Sequence, residues 1–179
     1  DVLARFVASH PIAGSEKSGP DAADAALFVG REAVLSRLPA TAPDTVARLE
    51  ALWRCVGARV THMTVGQHDR VFALVSHVPH AVAFVMAGVV ANDLGASAVG
   101  EELVRAGEHA GPGLLDMTRI AASSPALWAD ILIQNRVPTL AGLVALASRL
   151  QALAVTLQAE DRAALTALLA RGADWRRGR

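Results

Sequence analysis

Ala4-Arg5-Phe6-Val7-Ala8-Ser9-His10-Pro11-Ile12-Ala13-Gly14-Ser15-Glu16-Lys17-Ser18-Gly19 is the stretch on which the reading of this chain turns. The apolar run Ala4 to Ala8 predicts a strand, and Pro11 and Gly14 punctuate a turn directly after it. That turn carries an imidazole (His10), hydroxyls (Ser15, Ser18) and a carboxylate (Glu16). A histidine at the end of a strand has its ring fixed while the following loop stays open to a ligand, which suits acid-base work. The plainer alternative is a histidine that caps backbone groups or is merely exposed.

Outward from that stretch, residues 1 to 63 read as alternating α/β structure. Residues 26–29 and 33–35 predict short extended segments. A helix over 43–56 follows, with Thr41 as its cap, Asp44 as the reciprocal partner, Pro43 in the first turn and an apolar stripe of Val46, Leu49, Trp53 and Val56. Gly57 should end it, and residues 58–61 predict a last strand. From Val65 the strand signal disappears. Helices are expected near 66–75, 77–93, 96–108, 116–134, 138–158 and 160–172, the fifth marked by Leu140, Leu143, Val144, Ala147, Leu150, Ala154 and Leu157 at helical spacing. Glu160 and Asp161 suit the positive end of the last helix. Many of these helices are apolar on more than one face, so a second chain is expected to cover some of them.

Composition narrows the function classes. The 179 residues are 53% hydrophobic, enough for a sizeable core. Lys and Arg total 17, Asp and Glu total 17, so there is no net positive field to draw the chain to nucleic acid or an anionic membrane. Cys55 is the only cysteine, so no internal disulfide can form; a packing role on its helix and a cytoplasmic location are expected. The longest wholly apolar run, Ala81 to Ala91, is shorter than the ~20 residues that cross a bilayer and reads as a buried helix. No secretory signal opens the sequence.

Further chemistry-bearing residues recur in order: His68-Asp69, then Ser76-His77-Val78-Pro79-His80, then Thr118-Arg119-Ile120-Ala121 followed by Pro125 and Trp128. His77 and His80 are three apart on a predicted helix and so share a face. With His68 they could in principle ligate zinc, but no H-E-x-x-H, cysteine cluster or carboxylate pattern completes such a site, and no metal is expected.

Together with the His10 turn, these segments resemble the prephenate dehydrogenase family, including its arogenate and cyclohexadienyl variants, over nearly the whole chain. The resemblance implies a mainly α protein: residues 1–63 as the C-terminal remnant of a Rossmann-like nucleotide-binding α/β domain, and 64–179 as an all-α dimerisation and substrate-binding domain that interlocks with its twin. It implies NAD(P)-dependent oxidative decarboxylation of prephenate to 4-hydroxyphenylpyruvate, or of arogenate to tyrosine, in tyrosine biosynthesis. His10 matches the family's catalytic histidine, which assists deprotonation of the 4-hydroxyl. Arg119 matches the arginine that grips a substrate carboxylate, a task for which a guanidinium's two parallel donors suit it.

On the same resemblance, Ser15, His77 and His80 line the substrate pocket, the alternative for the two histidines being an ordinary core role, and Asp116 reaches the partner's active site. His68, which opens its helix and can reach the cleft, is assigned to the pocket, and Trp128 either walls the pocket or fills the core. Leu115 departs from relatives that carry a basic residue there. The cofactor would be NAD or NADP. No G-x-G-x-x-G follows a strand, and Gly111-Pro112-Gly113 carries a proline inside the helical region, so the chain is expected to be the C-terminal piece of a longer enzyme and inactive alone. The competing reading is a non-catalytic helical module for dimerisation or ligand binding. Other dehydrogenases with a helical second domain rely on a lysine there, and Lys17 is the only lysine.

Overall fold

The computed structural model describes residues 2–14, 21, 23–92, 96–99 and 102–179. Ser15 and Glu16, both expected near the site, lie outside the described residues.

A single turn of 3-10 helix, Leu3–Arg5, precedes strand β1, Val7–Ile12. The strand thus starts three residues later than the apolar run predicts, and His10 stands inside it rather than on the turn beyond. Ala4 is diverted because its carbonyl accepts from the Ala42 N–H at 2.9 Å and the Thr45 hydroxyl at 2.9 Å. β1 pairs antiparallel with β2, Glu32–Arg37, placing His10 opposite Val34. Residues 25–30 form turns instead of the expected extended segment.

Helix α1, Pro43–Cys55, begins on Ala42 with no side-chain cap. Thr41, the expected cap, instead accepts the Leu38 N–H at 2.9 Å and donates to the Phe6 carbonyl at 2.8 Å. Gly57 ends the helix at φ +83°, in the left-handed region where a side chain would be strained. Strand β3, Arg59–His62, then runs parallel to β2, giving the order β1-β2-β3. The central strand is the core: Ala33, Val34, Leu35 and Ser36 are all buried. Cys55, expected to pack, is exposed, because it falls off the apolar stripe of α1. Trp53 is half-buried, and its Nε1–H donates to Ser9 Oγ at 2.8 Å.

The helical part opens with α2, Val65–Phe72, held by a capping box: Thr64 accepts the Gln67 N–H at 3.2 Å and Gln67 accepts the Thr64 N–H at 2.9 Å. The chain widens into a π-helical turn, Ala73–His77, before α3, Val78–Asn92. α3 was expected to be buried; Ala81 and Ala83 are, but Val85 is 67% exposed.

A hairpin of β4, Ala96–Val99, and β5, Glu102–Arg105, with a 3-10 turn at Ala106–His109, replaces the helix expected over 96–108. Gly95 and Gly100 weaken a helix there, and Val99 and Val104 favour extended backbone. The helix expected over 116–134 is also divided. α4, Pro112–Thr118, passes into a 3-10 turn at Arg119–Ala122, and α5, Pro125–Gln134, restarts on a Ser124 cap, since the residue before a proline avoids helical backbone.

The contacts of the chain divide it into two units, residues 1–135 and 136–179. The second is a helical pair, α6, Arg136–Gln158, and α7, Arg162–Arg177. Glu160 turns between them at φ +51°, and Asp161 caps α7 by accepting the Ala164 N–H at 2.9 Å. Val137, Leu140, Val144, Val155 and Leu157 of α6 are exposed.

Two helical stretches, Val65–Ala91 and Arg136–Gln158, are long and apolar enough to cross a bilayer, with mean hydropathy 1.8 and 1.7. The apolar run Ala81 to Ala91 underestimated the first, which continues through α2 without a break. Length and composition are equally met by helices that seat against another protein surface, and the first stretch carries His68, Asp69, Arg70, His77 and His80.

Candidate active site

β1 carries His10 toward α2. Its ring lies 4.6 Å from Phe72 and 5.1 Å from His68, centroid to centroid, and its Nδ1 is 2.9 Å from His68 Nε2. His68 is held from its other side, Nδ1 to Asp69 Oδ1 at 3.0 Å. Burial, then repulsion from His68, holds the His10 pKa below the usual imidazole value, favouring the neutral ring that a base requires.

One turn on, the π-helical segment presents His77, and α3 presents His80. The His80 imidazole stacks on Trp128 of α5, centroids 3.6 Å apart and planes 18° apart, while Nδ1–H donates to the Ser76 carbonyl at 2.8 Å. His77 meets the same indole edge-on at 6.2 Å. Its pKa is also lowered, first by burial and then by His68, His10 and His80, with Asp69 opposing.

Asn135 was not singled out from the sequence. Its Nδ2 donates to the Asp69 carbonyl at 2.8 Å and to His77 Nδ1 at 3.0 Å. A carbonyl can only accept, so the amide orientation is fixed, His77 Nδ1 is the acceptor and the His77 proton sits on Nε2. A lone asparagine at a helix end gives no sequence signal for such a role.

His10, His68, Asp69, Phe72, His80 and Trp128 line adjoining chambers, whereas His77 and Asn135 line none of those described below. His10, His68 and Asp69 share one of about 240 Å³ with Ser9, Val34 and Ser36. His10 also lines a second, about 410 Å³, with Ala13, Gly14, Arg31, Phe72 and Ser76. Arg119 lines a third, about 490 Å³, with His80, Trp128, Ile120 and the same Ala13 and Gly14. His10 and Arg119 therefore border neighbouring hollows with a common wall at Ala13-Gly14, not one undivided cavity. A larger hollow of about 820 Å³ opens where the parallel strands β2 and β3 end, and meets the His10 chamber at Val65.

Asp116 is exposed on α4 and lines none of these chambers. His62 pairs with Glu50 away from the histidine cluster, and His109 is exposed. Among the described residues no three histidine, cysteine, aspartate or glutamate side chains are placed to hold a metal ion.

A mixed sheet that feeds a histidine-rich helical cleft defines the class, and comparison with known proteins defines the family. Residues 1–62 match the family described as prephenate dehydrogenase, nucleotide-binding domain, and residues 64–171 match prephenate dehydrogenase, dimerization domain. The chain belongs to the prephenate dehydrogenase family. It is 37% identical over 130 residues to a cyclohexadienyl dehydrogenase of Zymomonas mobilis, covering 73% of this chain and 43% of that protein. It is 36% identical over 132 residues to a prephenate dehydrogenase of Bacillus subtilis, covering 74% and 34%.

Among solved structures, that of Aquifex aeolicus prephenate dehydrogenase in complex with hydroxyphenyl propionate and NAD+ superposes with TM-score 0.88 at 31% identity, covering 98% of this chain and 59% of that one. Synechocystis arogenate dehydrogenase gives TM-score 0.82 at 26% identity, covering 97% and 61%. The chain thus spans less than half the length of these curated relatives.

Proposed function

We propose that this chain supplies the substrate half of an NAD(P)-dependent dehydrogenase that oxidatively decarboxylates prephenate to 4-hydroxyphenylpyruvate, or arogenate to tyrosine, in the cytoplasm. The observation that carries the reading is the shared Ala13-Gly14 wall, which brings a neutral imidazole and a guanidinium to neighbouring chambers. In this reading residues 1–63 close a nucleotide-binding domain and residues 64–179 form the dimerisation and substrate domain, in line with the family matches to 1–62 and 64–171.

Each side chain has a task. His10 takes the proton of the 4-hydroxyl as the carbon beneath it gives up hydride, and the oxygen becomes a carbonyl; loss of CO₂ then restores aromaticity. Arg119 holds a substrate carboxylate, His77 and His80 line the pocket with Trp128 as their backing, and His68 stands behind His10. Ser15 would hydrogen-bond substrate from the loop after β1, and Asp116 would serve the partner subunit's site.

A bound nicotinamide would supply the hydride acceptor. The chain carries no G-x-G-x-x-G and so no phosphate clamp is assigned to it, but the hollow where β2 and β3 end is where open α/β sheets receive ligands, and it adjoins the His10 chamber.

The exposed apolar surface of α6 supports a homodimer through the helical domain, because a face that includes Val137, Leu140 and Val144 needs covering. The test of the reaction is His10→Asn in an enzyme with its complete nucleotide-binding domain. General-base assistance contributes ~10² to 10⁴ in rate, so kcat should fall by that factor with KM little changed. A kcat within a few-fold of the parent would refute the reading.

A further inference from the structure

His68 sits beside the site, yet both its ring nitrogens are engaged: Nε2 by His10 Nδ1 at 2.9 Å and Nδ1 by Asp69 Oδ1 at 3.0 Å. The consequence follows from donors and acceptors alone. An ionised carboxylate only accepts, so the His68 proton resides on Nδ1. In the neutral ring Nε2 is then an acceptor, so the shared proton of the 2.9 Å contact belongs to His10 Nδ1. A neutral His10 with its proton on Nδ1 has a lone pair on Nε2.

We propose that Asp69 and His68 are positioning residues that select this tautomer of His10, leaving its Nε2 as the proton acceptor for the substrate hydroxyl; the proposal rests on the dehydrogenase reading above. The proton moves from the hydroxyl oxygen to His10 Nε2, the electron pair left on oxygen closes the carbonyl, and the hydride leaves for a nicotinamide. His10 becomes an imidazolium whose Nδ1–H remains donated to His68 Nε2, with the Asp69 carboxylate one ring further on to offset the charge. The same logic governs the serine-protease triad, where a carboxylate holds the catalytic imidazole in its working tautomer. Here a second imidazole is interposed. Phe72 presses on both rings, 4.6 Å from His10 and 4.5 Å from His68, and limits their rotation.

The arrangement makes opposite demands on near-isosteric variants. In His68→Gln the amide oxygen can still accept from His10 Nδ1, so the tautomer and most of kcat should survive. In His68→Leu the acceptor is gone. In Asp69→Asn an amide N–H can face His68 Nδ1, push the His68 proton to Nε2 and force the His10 proton onto its own Nε2.

The experiment is made on the enzyme with its complete nucleotide-binding domain, labelled with ¹⁵N-histidine, and reads the His10 ring nitrogens by NMR at a pH where the ring is neutral, alongside steady-state kinetics. Expected are an Nδ1–H His10 in the parent and in His68→Gln, and a shift toward Nε2–H in His68→Leu and Asp69→Asn. In the last two kcat should fall ~10- to 100-fold, short of the loss on removing the base itself, with KM little changed. An Nε2–H His10 in the parent, or an unchanged tautomer and kcat in His68→Leu, overturns the proposal. The tautomer is read without turnover. Loss of activity in His10→Asn with a normal His68→Leu therefore rejects the relay and leaves the function standing, whereas full activity in His10→Asn rejects the function.

Discussion

Asn135 and His77, 58 residues apart in sequence, meet at 3.0 Å, and the same amide nitrogen reaches back to the Asp69 carbonyl at 2.8 Å. One side chain thus pins the end of α5 to both sides of the π-helical turn. Such wide turns recur at functional sites, where they re-aim side chains that a regular helix would place elsewhere.

Replacing Asn135 by Ala removes two partly buried hydrogen bonds, each contributing ~1 kcal/mol. For a chain of this size the melting temperature should fall by about 4 to 8 °C. A thermal scan checks it, and an unchanged midpoint would mean that the turn is held by other contacts.

Arg119→Gln keeps a donor and loses the charge and the fork. A charged hydrogen bond contributes ~1.5 to 3 kcal/mol, which corresponds to a ~10- to 100-fold rise in KM for the dicarboxylate of the proposed reaction, measured in the enzyme with its complete nucleotide-binding domain. Initial-rate measurements over a range of substrate concentrations decide this; an unaltered KM would remove Arg119 from substrate binding.

Acid should act through the histidine cluster. The pKa of His10 is lowered first by burial and then by His68, and that of His77 by burial and then by His68, His10 and His80. For each, the unfolded chain binds protons more readily than the folded one. The folded state therefore loses stability as pH falls below the unfolded imidazole value of ~6.5 toward the depressed folded values, and is unaffected above it. The acid limb of kcat/KM should likewise lie below ~6.5, since His10 stays neutral further into acid. Denaturant midpoints across pH 5 to 8, on the parent and His77→Asn, should show the variant to be the less acid-sensitive; equal slopes would contradict the assignment.

In the proposed dimer the exposed apolar face of α6 forms the seam. Leu140 and Val144, four residues apart on one face, are 62% and 61% exposed. Placing Arg at both should convert a dimer to a monomer in light scattering after gel filtration, while circular dichroism remains helical. A Leu140→Arg/Val144→Arg variant that stays dimeric would direct attention to another face.

Helices with one strong stripe or a clear punctuation were legible in the sequence. α1 between Pro43 and Gly57, and α6 with its recurrent leucines, stand close to their expected bounds. What misled was local pattern overruled by distant partners. The strand expected from Ala4 begins at Val7, because the Ala4 carbonyl is claimed by residues some forty positions on.

The hairpin at 96–105 was missed because a run of small residues carries no strong period of either kind. Among the candidate residues, ordered motifs single out His10, His80, Arg119 and Trp128, which border the adjoining hollows, and His77, which meets Trp128 edge-on. Asn135 was not, since its partners lie 66 and 58 residues away. The His68–His10 contact spans 58 residues and is equally invisible in the sequence as a bond, although each residue lies in a recognisable motif.

His10 belongs to a ladder in which every second residue faces the same way, paired with a strand that cannot be moved without opening the core. A one-residue slip of β1 against β2 would swing the imidazole to the opposite side of the sheet, away from α2 altogether. Insertions or deletions after Gly14 leave that alignment untouched, whereas a single deletion between Val7 and His10 abolishes it. The spacing within this strand is therefore what an engineer must leave alone.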